Sequence, residues 1–302
     1  MGYVSFSLPD VGEPEDIKVE ITPKRVERGS YLANSVALCM GCHSERDWNT
    51  FAGPIIESSL GKGGEKFDQK KGLPGVFYAK NITPFALKNW TDGEILLAIS
   101  AGVNKDGKAL FPLMPHPRYG KLDREDLFSI IAYLRTLKPI ENSVPESEPD
   151  FPMNFIINTI PQKATFSKIP DPANQVAYGA YLFNAAPCGD CHTKRDQGEP
   201  IAGMELAGGS EFPMPLGGIA RSANITPDKE TGIGNWNEEA FVQRFKLYSD
   251  SAYRPLETKK GEFNTIMPWT MFSTMKTEDI KAIYAYLKTV KPIKNKVVKF
   301  SN

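Results

Sequence analysis

The sequence predicts an all-α protein made of two similar domains. This prediction depends on the length of 302 residues, on an internal repeat that spans most of the chain, and on apolar residues that recur at helical spacing. A chain of this length exceeds the usual size of a single domain. Apolar residues make up 41% and charged residues 24% of the sequence, which is typical of a soluble globular protein.

The internal repeat consists of short matching segments in the two halves of the chain. The segment Asn-Ile-Thr-Pro at 81–84 recurs at 224–227, and Ala132–Ile140 closely matches Ala285–Ile293. The spacing between matched segments varies, so insertions fall between them and each copy is expected to fold as its own unit. The repeat predicts an N-terminal extension at 1–24, a first domain at 25–140, a linker at 141–170 and a second domain at 171–302.

Three helices are predicted in each copy. The first, over Arg25–Leu38 in the first copy, has apolar residues at helical spacing. The second starts near Thr91, where Thr-Asp-Gly-Glu is typical of a capping box, and its counterpart starts at Asn237. The last starts near Asp123 and near Thr277, and in each copy it ends before a proline. Strand signals are weak, which favours an all-α fold.

Each copy carries a Cys-x-x-Cys-His motif at the end of its first helical pattern. Cys39–His43 reads Cys-Met-Gly-Cys-His, and Cys188–His192 reads Cys-Gly-Asp-Cys-His. Two thiols on one helical turn can each add to a vinyl group of haem, and the next imidazole then faces the iron. The motifs predict two covalent haem c groups, attached at Cys39, Cys42, Cys188 and Cys191, with His43 and His192 as iron ligands.

A redox dithiol and a zinc site are the competing interpretations of a Cys-x-x-Cys pair. The two motifs use all four cysteines and two of the three histidines of the chain. A zinc site built from all the cysteines would join segments far apart in the sequence and leave both histidines unexplained. A disulfide within one helical turn would be a poor cross-link. Haem attachment explains more of the pattern.

This order of motifs resembles the class I cytochromes c, and most closely the two-haem cytochromes that serve periplasmic dehydrogenases as electron-transfer partners or subunits. The resemblance covers about residues 25–140 and 171–293 and depends on the haem motifs, the Asn-Ile-Thr-Pro segments and the Met-Pro pairs at Met114 and Met267. It implies that each haem lies between the first and last helices, with the sixth iron ligand on the loop before the last helix.

The sixth ligand cannot be read from the haem motif, and Met, His, Cys, Lys or an open site are all found in haem proteins. Met114 and Met267 are the candidates, because they occupy matching positions and each precedes a proline. His116 is a rival two residues after Met114, but it aligns with Trp269, which cannot ligate iron. The second half also contains methionines without a first-half counterpart, namely Met204, Met214, Met271 and Met275.

Three further expectations concern the surroundings of the haems. The proximal imidazole is expected to bond a backbone carbonyl on the loop after the motif, at Pro54 and at the aligned Met204. His116 is expected to be a partly exposed loop residue near the first haem. Two residue pairs are left open between haem contact and packing of the fold; they are Asn81 with Asn224 and Trp90 with Trp236.

Ligation by His and Met predicts an electron carrier, because it fills both axial positions of the iron. Such a carrier would relay single electrons from a redox protein donor to an acceptor, either a dehydrogenase or an oxidase. The alternatives are a two-haem enzyme, such as a peroxidase or a thiosulfate-oxidising cytochrome, and a gas sensor. Both need an open iron or a labile ligand.

Charge and hydropathy limit the partners. The 36 basic and 36 acidic residues give a net charge of zero, which indicates no nucleic-acid partner. No apolar run is long enough to span a membrane. Because covalent haem is attached outside the bacterial cytoplasmic membrane, a periplasmic or outward-facing protein is expected. A cleaved signal or a lost N-terminal membrane anchor is then required, and the apolar start at residues 3–6 is compatible with a trimmed anchor.

Overall fold

The structure, a computed structural model, describes residues 8–196 and 198–302, which form two compact units. Unit 1 contains the described part of Met1–Asn34, together with Leu38–Glu45 and Ile55–Ile169. Unit 2 contains Ser35–Ala37, Arg46–Pro54 and Pro170–Asn302. Two short segments that flank the first haem motif in sequence thus belong to unit 2. The apolar start at residues 3–6 lies outside the described residues.

The helices of unit 1 are α1 (Pro23–Tyr31), α2 (Cys39–His43), α3 (Pro84–Leu87), α4 (Asp92–Ala101), α5 (His116–Tyr119), α6 (Arg124–Thr136) and α7 (Met153–Ile156). The first predicted helix, Arg25–Leu38, is interrupted: a π-helical turn at Leu32–Val36 follows α1, and Leu38 has a φ of 56°. This left-handed residue redirects the chain into α2, which carries the haem motif.

The helices of unit 2 are α8 (Gln175–Ala185), α9 (Cys188–His192), α10 (Glu238–Lys246), α11 (Trp269–Phe272) and α12 (Thr277–Leu287). Single 3-10 turns occur at Glu57–Ser59, Gln69–Lys71, Ile157–Thr159 and Leu247–Ser249. Within the described ranges, no helix is both long and apolar enough to cross a bilayer.

Three of the predicted helix starts, at Thr91, Asp123 and Asn237, are confirmed by side-chain caps. Thr91 and Glu94 form a reciprocal capping box at the start of α4. The Asn237 side chain accepts a hydrogen bond from Ala240 N at the start of α10, and Asp123 accepts one from Glu125 N at the start of α6. Each cap satisfies backbone donors that the first turn leaves unpaired.

In each unit, a helix before the haem motif packs closely against the last long helix. In unit 1, a Cβ added to Gly29 of α1 would lie 1.8 Å from the carbonyl oxygen of Ser129 in α6. In unit 2, a Cβ added to Gly179 of α8 would lie 1.9 Å from the carbonyl oxygen of Ala282 in α12. Only glycine permits this approach. The buried cores surround these crossings, with Leu32, Leu127 and Ile131 in unit 1 and Leu182 and Ile280 in unit 2.

The prediction of an all-α fold is wrong. Only 36% of the described part of the chain is helical, and it includes three small antiparallel sheets. The first joins β1 (Lys66–Phe67), β2 (Gly75–Tyr78) and β3 (Glu148–Pro149). The second joins β4 (Arg195–Asp196) and β5 (Glu199–Pro200), and the third joins β6 (Glu211–Pro213), β7 (Ile219–Arg221) and β8 (Phe300–Ser301). These strands have two to four residues, too few for an alternating pattern to be visible in the sequence.

Candidate haem-binding sites

The two cysteine motifs form short helices of the same length. Cys39 and Cys42 lie on one turn of α2, and Cys188 and Cys191 lie on one turn of α9. None of the four thiols is in a disulfide. Residues three positions apart on a helix project from the same face. Each helix therefore presents two thiols on the side of its histidine.

The environment of Cys39 disfavours thiolate chemistry. Burial raises the pKa of the Cys39 thiol to about 12, and the neighbouring Cys42 acts in the same direction. Reactive dithiols and zinc ligands need thiolates, which form readily only where the thiol pKa is lowered. No group of three or more acidic, cysteine or histidine side chains within the described residues is arranged to hold a metal ion.

Both proximal histidines are held by a backbone carbonyl. His43 Nδ1 lies 2.6 Å from the carbonyl oxygen of Lys80, and His192 Nδ1 lies 2.7 Å from that of Ala223. A carbonyl only accepts, so this contact assigns the proton to Nδ1 and leaves the Nε2 lone pair for a metal. Burial lowers the pKa of both imidazoles, although the carbonyl bonds oppose this. The neutral form that metal ligation requires is therefore favoured.

The expectation that Pro54 and Met204 supply these carbonyls is wrong. The Pro54 carbonyl instead accepts a hydrogen bond from Asp47 N at 2.9 Å, and the Met204 carbonyl accepts one from Ala207 N at 3.1 Å. Both oxygens are used inside their own loops. The carbonyls that reach the imidazoles come from the residue directly before each Asn-Ile-Thr-Pro segment.

A buried asparagine fixes each of these segments. The Asn81 Oδ1 accepts bonds from the backbone N and the hydroxyl of Thr83, and its Nδ2 donates to the carbonyls of Ile140 and Asn142. Asn81 is 5% exposed and Thr83 is fully buried. The amide thus joins the segment to the chain that follows α6, and it is occupied by protein groups rather than by a cofactor.

The second copy has the same arrangement. The Asn224 Oδ1 accepts from the backbone N and hydroxyl of Thr226, and its Nδ2 donates to the Ile293 carbonyl and the Thr231 hydroxyl. Since Ile140 and Ile293 occupy matching positions of the repeat, both copies join the same two segments. Asn81 and Asn224 therefore stabilise the packing of the fold, which is the second of the two roles considered for them.

A glycine packs directly against each carbonyl. Gly63 N donates to the His43 carbonyl at 2.8 Å, and a Cβ on Gly63 would lie 2.6 Å from the Lys80 carbonyl oxygen. Gly208 N donates to the His192 carbonyl at 2.8 Å, and its Cβ would lie 2.5 Å from the Ala223 carbonyl oxygen. The φ angles of 71° and 76° also favour glycine. Both histidines are thus fixed through ring and backbone.

Met114 and Met267 occupy the same local structure. Each precedes a proline and a one-turn helix, α5 or α11. His116 N donates to the Met114 carbonyl at 2.7 Å, and Trp269 N donates to the Met267 carbonyl at 2.8 Å. Both methionines are half-buried. Each unit contains one haem motif and one of these Met-Pro turns.

Most rival methionines are enclosed by protein. Met40, Met214, Met271 and Met275 are at most 7% exposed and belong to the cores. Met204 is half-buried, but it lies on the loop after the haem motif, far from the last helix in sequence. Core packing is the ordinary role of a buried methionine.

The expectation that His116 is partly exposed is wrong. His116 is fully buried, neither ring nitrogen has a partner in good hydrogen-bond geometry, and the nearby Leu110 backbone only partly opposes the effect of burial on its pKa. Its ring packs on the backbone of Gly102, where an added Cβ would lie 2.5 Å from three ring atoms. Burial lowers the pKa of His116 to about 4. The histidine is a neutral packing residue behind the Met114 turn.

The second half of the chain is similar to a known protein family. The family model for cytochrome c matches residues 176–291, which include α9 and the Met267 turn. Residues 176–291 are therefore similar to a cytochrome c domain. Such a domain carries covalently bound haem c and serves electron transport. The family match covers this domain only, and the first half is related to it through the internal repeat.

Several relatives align with most of the chain. The cytochrome c subunit of a quinone-dependent alcohol dehydrogenase from Gluconacetobacter polyoxogenes is 27% identical, over 89% of this chain and 56% of that protein. The fructose dehydrogenase cytochrome subunit of Gluconobacter japonicus is 28% identical, over 88% and 52%. A dihaem cytochrome c of Cereibacter sphaeroides is 27% identical, over 84% and 82%. The chain spans about half the length of these dehydrogenase subunits.

The donor set of the cytochrome c domain fits haem c. Two thiols share one turn, and the following imidazole is neutral with its Nδ1 occupied by the Ala223 carbonyl. The same set recurs at Cys39, Cys42 and His43 with the Lys80 carbonyl. Sequence reasoning found the thiols and histidines but missed the carbonyls, because a backbone oxygen leaves no residue signature. The available signal was the identical Asn-Ile-Thr-Pro segment after each carbonyl.

Proposed function

We propose that the chain is an electron carrier with two covalently bound haem c groups, one in each repeat. Cys39 and Cys42 attach the first haem, and Cys188 and Cys191 attach the second. His43 with Met114 and His192 with Met267 form the two axial ligand pairs.

The main support is the matching geometry around the two proximal histidines. The bonds of 2.6 Å and 2.7 Å from each Nδ1 to a carbonyl, and the glycines packed behind those carbonyls, occur in both copies. A first repeat without haem would have no use for an imidazole held in this way. We therefore propose that residues 25–140 bind a haem in the same way as residues 176–291.

Each side chain has a definite part in this proposal. The thiols anchor the porphyrin, and the carbonyl bond orients the imidazole and raises its basicity. A thioether ligand favours ferrous iron and raises the reduction potential. With both axial positions filled, the sites pass single electrons and bind no substrate. The protein supplies burial and orientation, and haem supplies the redox chemistry.

The partners proposed here are a dehydrogenase as donor and a second redox protein as acceptor. The relatives include cytochrome subunits named for alcohol, fructose and gluconate dehydrogenases, which supports such a complex. Covalent haem attachment favours a periplasmic or outward-facing location.

The number of haems is tested by the mass of the native protein after denaturation. Two attached porphyrins are expected for the wild type. Double substitution of Cys39 and Cys42 by Ala should remove one, and the matching change at Cys188 and Cys191 should remove the other. A wild-type mass with a single porphyrin contradicts the proposal.

The axial ligands are tested by optical spectra of the oxidised protein. A sulfur-to-iron charge-transfer band from both haems is expected, and Met114→His and Met267→His should each remove about half of its intensity. A high-spin signal in the resting protein would instead favour an enzyme with an open iron. Rapid binding of carbon monoxide to the reduced protein would favour a sensor.

A further inference from the structure

A strap formed by Arg46–Pro54 belongs to unit 2, although it begins only three residues after His43 of unit 1. It pairs with the loop that leads to Met267. Thr50 forms an antiparallel bridge with Glu257. Phe51 N donates to the Leu256 carbonyl at 2.8 Å, and Thr258 N donates to the Asn49 carbonyl at 2.7 Å. A segment of the first repeat is thus an edge strand for the methionine loop of the second.

Asn264 ties the strap to this loop three positions before Met267. Its Oδ1 accepts from Ala52 N at 2.9 Å and from Thr265 N at 2.7 Å, and its Nδ2 donates to the Trp48 carbonyl at 3.3 Å. Asn264 is 2% exposed and Ala52 is fully buried. Ala52 also has a φ of 63°, a left-handed conformation that a residue with a Cβ adopts only when its surroundings enforce it. The hydrogen bond that Ala52 N donates to Asn264 is one such constraint.

An aromatic stack ties the strap to the other side of the Met267 turn. The Phe51 ring lies 6.3 Å from that of Tyr248, nearly parallel at 18°. The Tyr248 ring lies 5.3 Å from that of Trp269, at 15°. Trp269 follows Met267 by two residues and donates its backbone N to the Met267 carbonyl. The strap therefore contacts the approach to Met267 directly and reaches the exit from it through Tyr248.

The corresponding segment of the second repeat differs in the residues that the structure describes. It forms the β4–β5 hairpin, in which Arg195, Asp196, Glu199 and Pro200 are exposed. Ala202, the counterpart of the buried Ala52, is exposed as well. Within unit 1, α5 and the packing of His116 on Gly102 support the Met114 turn.

We propose that the strap Arg46–Pro54 is a positioning device for the second haem, acting through Asn264 and Phe51 to hold the Met267 turn. The proposal rests on Met267 being an axial ligand, as proposed above. It predicts that the second repeat is incomplete without the first: losing the strap contacts frees Met267 to leave the iron, while Met114 is unaffected.

The experiment uses the full-length holoprotein and imidazole as a competing ligand. In a Met114→His background, the remaining charge-transfer band reports only the second haem, so its loss during an imidazole titration measures displacement of Met267. In a Met267→His background, the same titration reports Met114. Asn264→Ala, Phe51→Ala and their combination are introduced into each background. The matched control is Asn235→Ala. Asn235 is an exposed asparagine of unit 2 whose side chain donates to the Lys229 carbonyl, outside the strap.

Asn264→Ala leaves two backbone donors, Ala52 N and Thr265 N, and the Trp48 carbonyl without their partner. Imidazole should therefore displace Met267 at a concentration roughly tenfold lower. Phe51→Ala should act in the same direction and less strongly. Because both act through one strap, the double variant should show less than the product of the two effects. Displacement of Met114 should stay unchanged in every variant, as should displacement of Met267 in Asn235→Ala.

Three results would overturn this proposal. Unchanged displacement of Met267 in both Asn264→Ala and Phe51→Ala would show that the strap does not hold the turn. Equal weakening of Met114 and Met267 would indicate general loss of stability. Finally, Met267→His could leave the intensity of the charge-transfer band unchanged. Met267 would then not be an iron ligand, and the proposed function would fail together with the role of the strap. Phe51 is only half-buried, so its variant decides the matter if Asn264→Ala does not fold.

Discussion

The two repeats agree on one side of their proposed haem sites and differ on the other. On the histidine side, both use a carbonyl before Asn-Ile-Thr-Pro, a glycine behind it and a buried asparagine. On the methionine side, the first repeat packs the neutral His116 on Gly102. The second instead places Trp269 in a stack with Tyr248 and Phe51.

This difference indicates which constraints a duplicated domain must keep. The imidazole has to present one nitrogen in one orientation, and few backbone arrangements achieve this. The methionine turn only needs support from behind, which a histidine on glycine or a tryptophan in a stack can both provide. The second solution recruits Arg46–Pro54 from the other repeat, so it makes the two copies unequal.

The largest effect is expected at the helix crossings that both repeats share. Gly29→Ala and Gly179→Ala each place a Cβ within 2 Å of a backbone oxygen, so the helices must separate. We expect each to lower the free energy of unfolding of its own unit by at least about 3 kcal/mol. Denaturant unfolding followed by the absorbance of each haem measures this. Glu27→Ala, at an exposed position of the same helix α1, is the control for unit 1.

The asparagine clamp should come next. Asn81→Ala and Asn224→Ala each leave several buried groups unpaired, at a cost of about 2–3 kcal/mol. Because the clamp holds the carbonyl that bonds the proximal imidazole, the potential of the haem in the same repeat should rise by tens of millivolts while the other stays constant. Redox titration of the two haems separates these outcomes. Equal shifts in both potentials would contradict a local role for the clamp.

A smaller effect distinguishes the methionine sides by pH. The pKa of His116 is about 4 in the folded protein, whereas a histidine of the unfolded chain has a pKa of about 6.5. Between these two pH values, the unfolded chain therefore binds a proton at His116 that the folded protein does not bind. Stability is therefore lost on acidification, by about 2 kcal/mol between pH 7 and pH 5. His116→Phe should remove this loss, which denaturant unfolding at both pH values measures. An equal loss in the variant would exclude His116 as its source.

The smallest effect compares the helix caps of the two repeats. Thr91→Ala removes a reciprocal capping box, and Asn237→Ala removes a single bond to Ala240 N. We expect about 1 kcal/mol for the first and somewhat less for the second. Thermal unfolding of the holoprotein measures both, and a larger cost for Asn237→Ala would reverse the expected order.

Local patterns in the sequence predicted much of the helical framework. The caps at Thr91, Asp123 and Asn237 lie where their side chains predicted, because capping depends on residues within one turn. The sheets were missed because strands of two to four residues are too short to show an alternating pattern, and because two of the pairings join distant segments. β3, for example, pairs with β2 across some seventy residues, and no local pattern reports that pairing.

The sequence by itself determined the repeat, the two Cys-x-x-Cys-His motifs and the paired Met-Pro turns, because these depend on residue identity and spacing alone. Only the tertiary structure decided which carbonyls hold His43 and His192, that His116 is buried, and that Arg46–Pro54 packs with the second repeat. Backbone oxygens are the same in every residue, and burial depends on what long-range folding brings near. Such contacts are therefore set by three-dimensional packing and are invisible in the linear order of side chains.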